Sequence, residues 1–176
     1  MYPHFRPDLQ VGRLAKGQPV ELHPIIDHIE FYCMCSAKNS VGYAELKGYE
    51  EYMGFNGNAY EDPAINDLVT SPPCSRMIVR MQGDLAADIN NPQGVTVYDV
   101  VEGVARYYER PVSDEAAKYW WRKWGGPRYE DEVVTVDDYL PQHCERPNWD
   151  RGPEVQEDGS VLLECLRIYG HNEQHR

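Results

Sequence analysis

The sequence predicts an α+β fold, a small antiparallel sheet packed against a helix pair. Three observations carry that prediction. Residues 97–109 and 114–124 read as two amphipathic helices in succession, separated by Arg110-Pro111. Residues 28–35 and 76–82 alternate apolar and polar side chains in the period of a half-buried strand. Val161 to Tyr169 is largely apolar on both faces, as a central strand is.

Taken in order, the chain divides into an irregular N-terminal arm (1–20), one domain (21–170) and a frayed tail (171–176). At 176 residues it is long enough to bury a core. Pro3, Pro7, Gly12, Gly17 and Pro19 keep the arm irregular. His23-Pro24 opens a turn. After it, Ile29, Phe31, Cys33 and Cys35 share one side of a strand, and His28, Glu30, Tyr32 and Met34 share the other. Residues 40–62 interleave Tyr43, Tyr49, Tyr52, Phe55 and Tyr60 with Gly42, Gly48, Gly54 and Gly57. Leu46, Tyr49 and Met53 suit a short helix there, and the remainder suits an ordered loop. Thr70-Ser71-Pro72-Pro73 is a rigid turn leading into a strand whose Met77, Val79 and Met81 face one way. Asn90 to Gly94 is a second turn.

The first helix has a clear start. Thr96 is a good N-cap, and Asp99 stands where the reciprocal acceptor of a capping box belongs. Val97, Val100, Val101, Val104 and Tyr108 form one stripe, and Glu102 and Arg106 are four apart in the favourable order. Arg110-Pro111 stops it. Ser113 caps the second helix, with Asp114 and Glu115 in its first turn, Arg122 and Lys123 in its last, and Gly125-Gly126 behind it. Trp120, Trp121 and Trp124 fall within five residues, an aromatic load that fixes a helix on a core or lines a contact surface. Thr135 and Asp138 repeat the cap pattern ahead of Pro141, which predicts a helical turn, and residues 141–160 read as turn-rich.

Composition narrows the function. A net charge of −12 argues against nucleic acid, which needs a Lys/Arg footprint, and against anionic membrane surfaces. It suits a basic protein partner or a cationic ligand. No window of 18 apolar residues exists, and the first residues lack the charged-then-apolar form of a signal peptide. The expectation is a cytoplasmic protein, with its five cysteines reduced rather than paired.

Motifs for phosphate loops and nucleophile elbows are absent. His28-Ile29-Glu30 with Pro73-Cys74 is similar to the zinc-deaminase signature, but Met77 occupies the second cysteine position, which leaves too few ligands. No metal and no cofactor is expected. Asp27, His28 and Glu30 are the densest group of acid–base residues.

One segment order is more specific: Leu-His-Pro-Ile-Ile from Leu22, Thr-Ser-Pro-Pro from Thr70, Pro-Gln-Gly-Val-Thr-Val-Tyr-Asp-Val-Val from Pro92, Arg-Pro-Val-Ser-Asp-Glu-Ala from Arg110, and a last strand ending Arg-Ile-Tyr-Gly at Gly170. This resembles a domain family of unknown function abundant in mushroom-forming fungi. The resemblance runs from about His23 to Gly170 and is most specific from Thr70 to Glu115. It implies a compact α+β domain, fungal and intracellular, and brings no activity or catalytic residues.

Two functional readings follow. The first is a non-catalytic binding protein with an aromatic, acidic-rimmed surface for a protein partner or small-molecule ligand, built from Tyr32, Tyr43, Tyr49, Tyr52, Phe55, Trp120 and Trp121. The second is a small enzyme with a pocket near His23–Glu30 and the Tyr-rich loop, in which Asp27, His28 or Glu30 transfers the proton. The sequence does not fix an oligomeric state.

Overall fold

A computed structural model describes residues 3–32, 43–46, 60, 62–124, 133–136, 144–149, 151–165 and 167–170. Among the described residues the elements run β1 (Glu21–Leu22), β2 (Ile29–Tyr32), β3 (Tyr43–Leu46), β4 (Thr70–Ser71), β5 (Arg76–Met81), β6 (Asp84–Asn90), α1 (Val97–Tyr108), α2 (Asp114–Trp124), β7 (Cys144–Asn148), β8 (Arg151–Val155), β9 (Val161–Cys165) and β10 (Arg167–Gly170). The fold is α+β, as the sequence predicts.

The strands group differently from the expectation. A mixed sheet has the order β6-β5-β9-β8, with β5 and β9 parallel. A second, antiparallel sheet has the order β10-β7-β2-β3. β1 and β4 form a two-stranded ladder. Strand β2 therefore lies in a different sheet from β5 and β9. The expected strand over 161–169 is two, β9 and β10 on either side of residue 166, one in each sheet. An apolar run carries no sign of where a strand changes sheets. Tyr43–Leu46 is extended and paired to β2, so Leu46 belongs to a strand; the rest of the short helix expected there, at Tyr49 and Met53, lies outside the described residues.

Strands β6, β7 and β8 have no counterpart in the sequence reading, and each has a reason. The β5–β6 ladder shifts register between Val79 and Arg80, which breaks the alternation of β6. Pro147 in β7 and Pro153 in β8 read as turn residues. Among the described residues the β2–β7 ladder pairs Glu145 and Cys144, and Pro147 pairs with Ile168 of β10. Pro153 sits on an edge strand at a register shift. Both positions tolerate a missing backbone donor.

The core forms where the periodicity places it. Met77, Val79 and Met81 of β5 and Val161, Leu163 and Cys165 of β9 are fully buried, with Val97, Val100, Val101, Val104 and Tyr108 of α1 in the same cluster. The capping box of α1 closes in both directions: Asp99 N donates to Thr96 Oγ1 at 3.2 Å and Thr96 N donates to Asp99 Oδ2 at 2.9 Å. Arg106 Nε reaches Glu102 Oε1 at 2.8 Å. Helix α1 packs on β6 at Gly103, where an added Cβ would stand 2.8 Å from Ala87 Cβ.

Past the helix, Arg110 donates to the backbone carbonyls of Leu85 and Ala86 and lies over the Tyr107 ring. Val112 N donates to Val134 O at 2.9 Å and Val136 N to Arg110 O at 2.8 Å, so the Arg-Pro-Val segment is zipped to residues 134–136. Ser113 caps α2 through Ala116 N at 3.3 Å. Among the described residues of α2, Ala117 is buried, Trp121 is half-buried and Tyr119 is exposed. The predicted turn after Thr135 lies mostly outside the described residues.

The N-terminal arm holds a 3-10 turn at Pro3–Phe5, buries Phe5 and Leu14, and is tied to the body by Leu68 N to Phe5 O at 2.7 Å and Gly17 N to Val155 O at 3.1 Å. No helix among the described residues is long and apolar enough to cross a membrane.

Candidate functional site

The candidate site begins at a 3-10 turn, Pro24–His28, that aims β2. His23 starts it: Nδ1 accepts from Ile25 N at 3.1 Å, and Pro24 at the first position has no N–H to satisfy. Asp27 is exposed on this turn. Ile29, fully buried, then seats β2 on the core.

The β2–β3 ladder pairs Ile29 with Leu46, Glu30 with Glu45, Phe31 with Ala44, and Tyr32 with Tyr43. Directly opposed residues share a sheet face, and alternate residues along a strand change face. Glu30, Tyr32, Tyr43 and Glu45 therefore hold four neighbouring positions on one face, and Ile29 belongs to the other. Two groups named separately in the sequence, the acid–base cluster and the tyrosine-rich stretch, come together in this ladder. Strand β7 continues it, with Cys144 opposite Tyr32.

Helix α1 also touches β3. Tyr60 OH donates to Glu102 Oε2 at 3.4 Å, and the Tyr60 ring meets Tyr98 edge-on at 5.9 Å. Burial pushes the Tyr60 phenol well above its ordinary value, and the Glu102 carboxylate pushes it the same way. Tyr98 remains 43% exposed. Neither Tyr60 nor Tyr98 was among the predicted site residues. The available signal was that Tyr98 lies off the valine stripe, four residues before Glu102.

The other predicted residues divide as follows. His28, Glu30, Tyr32, Tyr43 and Trp120 are described in backbone only. Tyr49, Tyr52 and Phe55 lie outside the described residues. Trp121 is on α2, with its indole N–H enclosed and no acceptor for it among the described residues.

His23 is the buried titratable group nearest this region. Its ring lies 4.7 Å from Phe5, and Nε2 lies 3.5 Å from Asp67 Oδ2. Burial pulls the imidazole down to about 4. Burial also raises the Asp67 carboxyl above its usual range. An enclosed imidazole that caps a turn orients backbone rather than meeting a substrate. Among the described residues no group of three His, Cys, Asp or Glu side chains is arranged to hold a metal ion.

The family model DUF6699, a family of unknown function, matches residues 45–165. That is more than half of the chain, and the chain belongs to this family. No curated protein and no solved structure matches it.

Proposed function

We propose, for this member of a family that brings no activity with it, a non-catalytic binding protein whose contact surface is the Glu30–Tyr32–Tyr43–Glu45 face of the β2–β3 ladder, continued by the Tyr98 ring on α1. The partner is a protein segment or ligand that presents lysine- or arginine-like cations. The observation that supports this most is the register of β2 against β3. Two like charges directly opposite one another weaken strand pairing, by a few tenths to about 1 kcal/mol. A cation bound at this position offsets that repulsion, and aromatic residues at the neighbouring register position suit the same cation. The net charge of −12 draws such a partner in from a distance and disfavours nucleic acid and anionic membranes.

A cytoplasmic setting belongs to the same reading. Cys74 and Cys165 are buried, and burial raises the Cys74 thiol, so Cys74 is an unreactive core residue suited to a reducing compartment.

The test is fluorescence anisotropy with a labelled oligolysine peptide at near-physiological salt. The Glu30→Gln/Glu45→Gln variant is expected to bind roughly tenfold more weakly, about 1.4 kcal/mol. A control, Glu115→Gln/Glu154→Gln, makes the same charge change at exposed positions elsewhere and is expected to bind as the parent does. Equal losses in both variants would mean diffuse attraction to an acidic protein and would overturn the proposal.

A further inference from the structure

A groove of ≈ 540 Å³ lies at one end of the mixed sheet, between the arm at residues 11–13, the start of β5, the end of β6 and the β8–β9 turn. The hydrogen-bonding groups of its walls can be counted. Arg76 is fixed by two carboxylates: Nε and Nη2 donate to Asp88 at 2.9 and 2.8 Å, and Nη1 donates to Asp158 Oδ2 at 2.9 Å. Asp158 Oδ1 accepts from Ser160 N at 3.0 Å and Ser160 Oγ at 2.6 Å. Asp88 Oδ1 also accepts from Asn90 Nδ2 at 3.4 Å. Both acidic groups of this corner are therefore engaged by the groove's own donors.

What remains is a donor. Arg13 lines the groove, and its guanidinium has no acceptor among the described residues. Its stem runs beside Gly159, where an added Cβ would stand 3.4 Å from Arg13 Cγ, in contact with it. A guanidinium offers up to five N–H groups in a planar fork and accepts nothing. The Ser75 hydroxyl lines the same groove. Of the groove's charged groups, Arg13 is thus the one left unengaged among the described residues, and the volume falls in the range of small-molecule sites, about 300–1,000 Å³, rather than of a lone ion.

We infer that this groove binds a small organic oxyanion, a carboxylate or a phosphate ester, with Arg13 as its charged anchor and the Arg76–Asp88–Asp158 network as the rigid wall that holds the groove open. The ligand is held by paired hydrogen bonds from a planar fork, a geometry that suits both anion types. Arg13 lies outside residues 45–165, so the anchor comes from the arm and not from the part of the chain that defines the family. The inference stands apart from the proposed cation-binding face, since the two use different residues and opposite ligand charge.

The test is an amide chemical-shift titration of the whole chain with inorganic phosphate and, separately, with citrate, against chloride at matched ionic strength. A chain of net charge −12 does not gather anions diffusely, so a saturable response reports a built site. The expected result is saturable shifts at residues 11–13 and 158–160 with phosphate, citrate or both, and none with chloride. Response to one anion alone assigns the class. Arg13→Ala removes no hydrogen bond of the fold and is expected to weaken binding by roughly tenfold or more, the size of one lost charge-assisted contact. Arg80→Ala, an exposed arginine elsewhere on β5, is expected to leave it unchanged. No saturable shift with either anion, an Arg13→Ala titration like the parent's, or an equal loss in Arg80→Ala would each overturn the inference.

Discussion

His23 is completely enclosed, and its role is set by what encloses it. With Nδ1 accepting from Ile25 N, the ring nitrogen left for a proton is Nε2, facing Asp67. Burial holds the folded-state value near 4, against 6.5 for a free imidazole. Between those values the unfolded chain binds a proton that the folded chain refuses. Stability is therefore full above about pH 6.5 and is lost as pH falls toward 4, by on the order of 2–3 kcal/mol. The expected outcome is a falling urea midpoint over that window, and a much flatter profile in His23→Asn, whose side-chain oxygen can still cap Ile25 N. An unchanged slope in His23→Asn would assign the pH dependence to other groups. The capping box at Thr96 was legible in the sequence because its two partners are three residues apart. The burial of His23 was not, because Phe5 and Asp67 reach it from far along the chain.

At the scale of elements, α1 was the most legible part of the chain. Its cap, its valine stripe and its Glu102–Arg106 pair all form as read. Gly103 was not legible: within a helix it reads only as a weak point, costing about 1 kcal/mol against alanine. The packing gives it a purpose, since it lets α1 approach the Ala87 side chain of β6. Gly103→Ala is expected to destabilise the protein by about 1–2 kcal/mol in chemical denaturation, although alanine is the better helix former, because neither helix nor sheet can yield without moving the core. A stabilised variant would contradict the close approach. The Arg-Pro-Val segment teaches a similar lesson. It reads as a helix stop, and it is also a clamp, with Arg110 covering carbonyls of the edge strand β6 and residues 110–112 tied to 134–136. Motif residues that look available for chemistry are here spent on joining elements. Strands could be recognised one at a time by their alternation, but partner choice depends on contacts between distant segments, and the expected sheet merged strands that belong to two.

At the scale of the whole molecule, the proposed function depends on the β2–β3 pairing, whose register the sequence did not reveal. The acid–base residues near 27–30 and the tyrosines beyond 43 were each visible as clusters, and composition supplied the acidic charge. Only the β2–β3 register makes them neighbours, with Glu30 against Glu45 and Tyr32 against Tyr43. The two proposed contact regions then have opposite preference, a cation-seeking sheet face and an oxyanion-seeking groove with Arg13 as its anchor. The measurement that bears most directly on the first is amide chemical-shift mapping of the labelled protein with oligolysine. The account predicts that the largest shifts fall together at residues 29–32 and 43–46, with a smaller effect at Tyr98. Shifts concentrated on α2, or spread evenly over every exposed carboxylate, would contradict it.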